Sequence, residues 1–233
     1  MGHIIDSTYI YGTFFAVIPY VKVTLMITFL SVGLGTILGL LSCVLQQNKV
    51  PVLSQLSYLY VLLCRSIPNM VLLYLVYYGL PILFLALEDQ TGVHVPFEKV
   101  PATFVAVVGL TLHTGAYLSE IFRAALQSVP KGQMEAARSL GMPHKMAMRL
   151  VIIPQATKII LPAIGNEFVT LIKETSVLSF VGVVEIMRRG NLWNASTFET
   201  FPAYIGVALV YLILTLSLTK LISKMEVRMS QEA

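Results

Sequence analysis

The stretch GNEFVTLIKETSVLSF carries side chains able to meet a charged ligand: Glu167, Thr170, Lys173 and Glu174. Glu167 and Glu174 are seven residues apart, close to two helical turns, so a helix presents both carboxylates on one face, with Thr170 and Lys173 near it. Two acids and a hydroxyl on one stripe suit an ammonium group, and Lys173 could pair with one acid and hold it ionised. The same residues also fit an internal salt-bridge network between helices that holds no ligand. Arg65 precedes Pro68 in RSIPN. The proline leaves the carbonyl of Cys64 without its helical donor, which favours a polar, cavity-facing stretch. Arg65 reads there as an anion-binding group or as a snorkelling side chain. His113, in LTLHTGAY, reads as a pore-facing group or a satisfied core histidine. Glu120 and Arg123, at i and i+3, read as a helix-end salt bridge.

These groups stand in text that is otherwise apolar. The chain has 233 residues, 56% of them hydrophobic and 12% charged, with a mean hydropathy of +0.78. Soluble domains carry about 25% charged residues, so the natural solvent of this chain is lipid. Inside a span each ionisable residue costs at least about 2.5 kcal/mol, so it needs a partner, a water-filled cavity or a task. The opening MGHIIDSTYIYGTFF lacks the basic start of a secretory signal, and no A-x-A-like site follows, so the first span is expected to stay in the protein. Cys43 and Cys64 lie in apolar runs and read as core residues. The four histidines, His3, His94, His113 and His144, are scattered, and nothing argues for a metal site. The net charge of +4 needs no nucleic acid.

The elements that position these groups are expected to be spans over 22–46, 57–87, 100–122, 159–184 and 202–223, each long enough to cross a bilayer. The chain is read as one membrane domain, 1–233, all α, with five transmembrane helices. The second span holds Pro68 and Pro81 and is expected to kink. Arg123, Lys131, Arg138, Lys145, Arg149 and Lys158 join Lys49, Lys220, Lys224 and Arg228 on one side, which is expected to be cytoplasmic. The N-terminus is then outside and the C-terminus inside. The outer side has Lys22, Lys99, Arg188 and Arg189 with six acids: Asp6, Glu88, Asp89, Glu98, Glu185 and Glu199. The basic excess of the side expected to be cytoplasmic also lies where lipid phosphates would meet it. In the first span Gly35 and Gly39 allow close helix packing.

About 35 residues join the third and fourth spans, and loops of that length are usually functional. Ser128 and Pro130 mark a helix start, Gly141 is placed as a C-terminal cap, and Pro143 opens a second short helix ended by Pro154. A surface loop lying on the membrane fits this pattern; a docking element for a soluble partner explains its length and corner better.

Here a resemblance becomes specific. EAARSLGMPHKMAMRLVIIPQA resembles the EAA loop of ABC-importer permeases: Glu135, Ala136, Ala137, Gly141, Pro154 and Ala156 match. RSIPNMVLLYLVYYGLP, GAYLSEIFRAALQSVPKGQMEAARSLGM and LIKETSVLSFVGVVEI are similar to the polar amino acid uptake branch, from about Thr24 to Lys224. RSIPN stands where many members have Arg-Gly/Ser-Thr-Pro-Leu, so Asn69 is a more polar variant placed to face the substrate path. The resemblance implies a type I importer fold in the bacterial cytoplasmic membrane. It implies a dimer with the same or a similar permease, ATP-binding cassette subunits, and an extracytoplasmic binding protein. The coupling loop, 128–156, is implied to dock in the ATPase through Glu135, Ala136, Ala137, Arg138, Gly141 and Met142. Glu167 and Glu174 are implied to meet positive groups and Arg65 the carboxylate of an amino acid, with Asn69, Thr170, Lys173 and His113 along the path. No G-x-x-x-x-G-K-[ST] is present, so ATP and Mg are expected to belong to the partner. An ion-coupled transporter or channel could use the same acids, but would have no use for the glycine-cornered loop. No H-E-x-x-H or G-x-S-x-G supports an enzyme.

Overall fold

The computed structural model describes residues 6–92 and 100–231. His3, His94, Glu98 and Lys99 lie outside the described residues. Among those described there are helices and turns and no strand. Five helical segments are long and apolar enough to cross a membrane: Ser7–Gln47, Asn69–Thr91, Ala102–Ser128, His144–Val181 and Thr200–Arg228.

The first segment begins earlier than the sequence pattern suggests. Asp6 caps α1 (Ser7–Val17) by accepting from the Thr8 N–H at 2.8 Å. A 3-10 turn, Ile18–Tyr20, carries the chain into α2 (Val21–Gln47). The expected second span is two helices. Ile67, before Pro68, is extended at φ −92° and ψ 132°, as steric contact with a following proline demands. The break separates α3 (Leu53–Ser66) from α4 (Asn69–Thr91), so the kinked single helix over 57–87 is corrected. Pro81, by contrast, is carried inside α4.

The central helix is α5 (Ala102–Ser128), the most enclosed of the spanning set. It crosses α2 with backbone nearly touching backbone. A Cβ on Gly39 would stand 2.7 Å from the Gly115 carbonyl oxygen and 2.9 Å from the Ser119 nitrogen. One on Gly35 would meet the Gly115 nitrogen at 3.1 Å. The two glycines thus do what small-xxx-small spacing predicts. Ile27, Val32, Leu73, Leu110 and Leu171 close the core around this crossing. Most apolar surface of α4 and of the segments His144–Val181 and Thr200–Arg228 points outward, as lipid-facing surface does: Leu85 is 63% and Leu216 60% exposed.

After α5, Pro130 caps α6 (Lys131–Ser139), and α7 (His144–Ala147) follows Pro143. Pro154 does not end this second helix. A π-helical turn, Met148–Ile152, leads directly into α8 (Ile153–Glu174), so Pro154 is carried within the continuous helical segment His144–Val181, just past the wider turn. The fourth span therefore starts well before the expected 159. It closes in a 3-10 stretch, Thr175–Val181. A further helix, α9 (Ile186–Thr197), precedes α10 (Thr200–Gln231) and packs with α1 and α10. Neither α1 nor α9 was expected from the sequence.

Candidate functional site

Two interrupted helices meet beside the middle of α5. The α3–α4 break puts Arg65 in the last turn of one helix and Asn69 in the first turn of the next. The other interruption follows Glu174, where α8 tightens into its 3-10 stretch. Asn69 Nδ2 donates to Glu174 Oε2 at 3.1 Å. His113 Nδ1 lies 3.4 Å from the same oxygen without hydrogen-bond alignment, and is otherwise buried without a partner. Side chains from α4, α5 and α8 thus converge on one carboxylate oxygen.

A polar stripe runs from this point along α5. The His113 and Tyr117 rings stack with centroids 4.7 Å apart. The Arg65 guanidinium lies over the Tyr117 ring at 5.6 Å and reaches Glu120 Oε2 at 3.5 Å. Glu120 also takes both Nε and Nη2 of Arg123, whose Nη1 donates to Gln127 at 3.0 Å. Residues 113, 117, 120 and 127 recur at helical spacing, over about 21 Å of axis. The Glu120–Arg123 pair is therefore one link in a longer track. Tyr117 was missed by sequence reasoning, although its place four residues after His113 was available as a signal.

The residues singled out from α8 divide. Glu167 is half-buried and has no ion pair among the described residues. It stands two turns before Glu174, about 10 Å along the axis. Thr170 and Lys173 are exposed, as is Asn166. Lys173 pairs with neither acid among the described residues. It lines a separate cavity of about 310 Å³ with Ser176, Met187, Tyr204 and Tyr211.

The loop helix is a second site of interest. Glu135, Ala136 and Arg138 are exposed on α6, while Ala137 is 4% exposed and faces inward. Met134 packs with Ala125, Val129, Ile152 and Ala156, fixing α6 between the ends of α5 and α8. The helix closes as a Schellman motif: the Met142 N–H reaches the Ala137 carbonyl at 3.1 Å and the Gly141 N–H that of Arg138 at 3.0 Å. Gly141 has φ +83°, and nothing lies within 4 Å of the place its Cβ would take. Arg138 Nη1 also binds the Met142 carbonyl at 3.2 Å, and Leu140 is 79% exposed at the corner.

At the opposite end, Glu185 is fully buried. It accepts from the Met187 and Arg188 N–H groups and from Tyr211 Oη, at 2.8–2.9 Å, and so caps α9 and ties it to α10. Burial pushes its carboxyl above the ordinary carboxylate range, against the pull of those bonds. No group of three or more His, Cys, Asp or Glu is placed to hold a metal among the described residues.

Comparison with known proteins agrees with this architecture. The chain is 40% identical over 212 residues to the probable amino-acid permease protein YxeN of Bacillus subtilis (strain 168), covering 91% of this chain and 90% of that protein. It is 41% identical over 191 residues to the probable amino-acid ABC transporter permease protein PatM of Vibrio harveyi, covering 80% and 81%. A solved structure described as an amino acid ABC transporter with histidines superposes with a TM-score of 0.84 at 36% identity, over 96% of this chain and 99% of that one. Residues 31–230 match the family described as "Binding-protein-dependent transport system inner membrane component", and the chain belongs to that family.

Proposed function

We propose that this permease carries a polar or basic amino acid, meeting its positive groups at Glu174 and Glu167 and its carboxylate on the Arg65 side of the same track. As a member of its family the chain is a multi-pass transport subunit of an ATP-driven importer, and ATP hydrolysis lies in a separate subunit. The amino acid class is supported by the names of the similar permeases. The observation that carries the site is the convergence of Asn69 and His113 on Glu174 where two helices are interrupted. Irregular backbone at membrane depth is tolerated only where it is buried in protein or lines a water-filled cavity. An incoming ammonium can take Glu174 from its present neighbours, and the stripe to Gln127 offers polar groups along the exit.

The partners follow from exposed groups. Asn166, Thr170 and Lys173 are exposed on a spanning helix, and hydrocarbon is a costly neighbour for them. A second permease, the same chain or a similar one, encloses them across a water-filled path. The outer face of α6, with Glu135, Ala136, Arg138 and Leu140, docks in the ATP-binding cassette subunit, which uses ATP and Mg. An extracytoplasmic binding protein delivers the ligand, and the basic end of the bundle faces the cytoplasm. ATP binding shifts the pair of permeases outward-open and hydrolysis returns it, so coupling is a difference in affinity between two bundle states.

The test is uptake by the reconstituted transporter carrying Glu174→Gln or Glu167→Gln. A hydrogen bond to a charged group is worth about 1.5–3 kcal/mol, so loss of the Glu174 charge is expected to lower uptake at least about tenfold, with ATPase docking intact. Unchanged uptake kinetics in both variants would remove the acids from the site.

A further inference from the structure

We propose that the cleft between α2 and α8, at the basic end of the bundle, holds one anionic phospholipid, with its headgroup gripped by His144, Lys145 and Arg149. The cleft has a volume of about 540 Å³. Its inner walls are apolar: Leu40 and Val44 on α2, Phe122 and Leu126 on α5, and Ile160 on α8. Leu40 and Val44 are 52% and 45% exposed, so the walls open towards the hydrocarbon that surrounds a spanning helix. The three basic side chains line the same cleft from α7 and the π-helical turn, and all three residues are exposed. None has an ion-pair partner among the described residues, and no Asp or Glu lines the cleft.

This arrangement is chemically one-sided. Cations stand at one end of an apolar trough, and an anionic phospholipid has the complementary order, phosphate and then acyl chain. Basic pockets between spanning helices on the cytoplasmic side bind such headgroups. A zwitterionic lipid brings its own cation to the phosphate and gains less from Lys145 and Arg149. A free phosphate would leave the apolar walls unused. Lys145 and Arg149, four residues apart, share one face at helical spacing and line the same cleft. An occupied cleft braces α2 against the segment that follows the Gly141 corner.

The experiment uses the purified transporter, this chain with its ATPase partner, in phosphatidylethanolamine vesicles. The vesicles contain a small fraction of photoactivatable phosphatidylglycerol, and adducts are mapped by mass spectrometry. Adducts are expected to concentrate on α2 near Leu40 and Val44 and on α8 near Ile160, with a phosphatidylcholine probe labelling these positions far less. Lys145→Gln with Arg149→Gln is expected to lower cleft adducts about fivefold per removed charge, while labelling elsewhere on the lipid-facing surface stays constant. Val44→Trp fills the wall, leaves the cations in place, and is expected to lower them too. Equal labelling by the phosphatidylcholine probe overturns the proposal. So do cleft adducts unchanged in the charge variant, or an unlabelled cleft whose Lys145 crosslinks to the ATPase subunit instead.

Discussion

Gly141→Val isolates the backbone from everything else at the corner after α6, the corner proposed to couple to the ATPase. The left-handed conformation costs an L-residue about 1–2 kcal/mol, and a β-branched side chain is the least suited to it. Sterics add nothing, because the space around the added Cβ is empty. The chain can accept that strain, or it can unwind and release the two closing bonds at 3.1 and 3.0 Å, each worth about 0.5–1.5 kcal/mol net. The strained route costs about 1–2 kcal/mol and the unwound route about 1–3 kcal/mol; the cheaper one is equivalent to a shift of roughly 5–30-fold in the population of the intact corner. Asparagine tolerates the same backbone region, so Gly141→Asn is the matched control. The assay is ligand uptake per ATP hydrolysed in proteoliposomes. The valine variant is expected to fall by up to the same 5–30-fold, while insertion and basal hydrolysis persist, and the asparagine variant is expected to stay near wild type. Equal behaviour of the two variants, or full uptake with valine, refutes the conformational argument.

Other perturbations read other parts of the fold. Gly39→Ala forces a methyl onto the Gly115 carbonyl 2.7 Å away, and thermal unfolding of the purified protein should report a loss of about 1–3 kcal/mol. Gly33→Ala, with nothing within 4 Å, should be neutral or gain up to about 1 kcal/mol. Asn69→Leu leaves Glu174 without the donor it now has at 3.1 Å. A double-mutant cycle with Glu174→Gln, scored by ligand affinity, should give a non-zero coupling, and strict additivity would separate the pair. Glu185 has its folded-state pKa raised above 4.5, so its contribution to stability is full below 4.5 and is lost as the pH rises through the raised value. Melting temperature should therefore fall over that window more steeply in wild type than in Glu185→Gln.

Much of this architecture is legible in sequence because its causes are local. Five long apolar stretches give spans in any arrangement, since lipid obliges a crossing backbone to satisfy itself as helix. Gly141 and Pro143 mark the loop corner by their own backbone limits. Gly35 and Gly39 announce a close crossing, though not that Gly115 is what they meet. The sequence misleads where neighbours decide. Pro68 breaks a helix and Pro154 is carried within one, and α1 and α9 are helical although sequence pattern did not mark them.

Charge placement divides in the same way. Composition alone established that Glu167, Glu174, Lys173, His113 and Arg65 lie in apolar text and need partners. Only the tertiary structure decided the pairings. Glu174 faces Asn69 and His113, Arg65 is turned to Tyr117 and Glu120, and Lys173 forms an ion pair with neither acid among the described residues and lines a different cavity. The reason is geometric. Helical spacing fixes which residues share a face within one helix, but the partner of that face depends on how separate helices cross, and here that is set by a few glycines and one proline break.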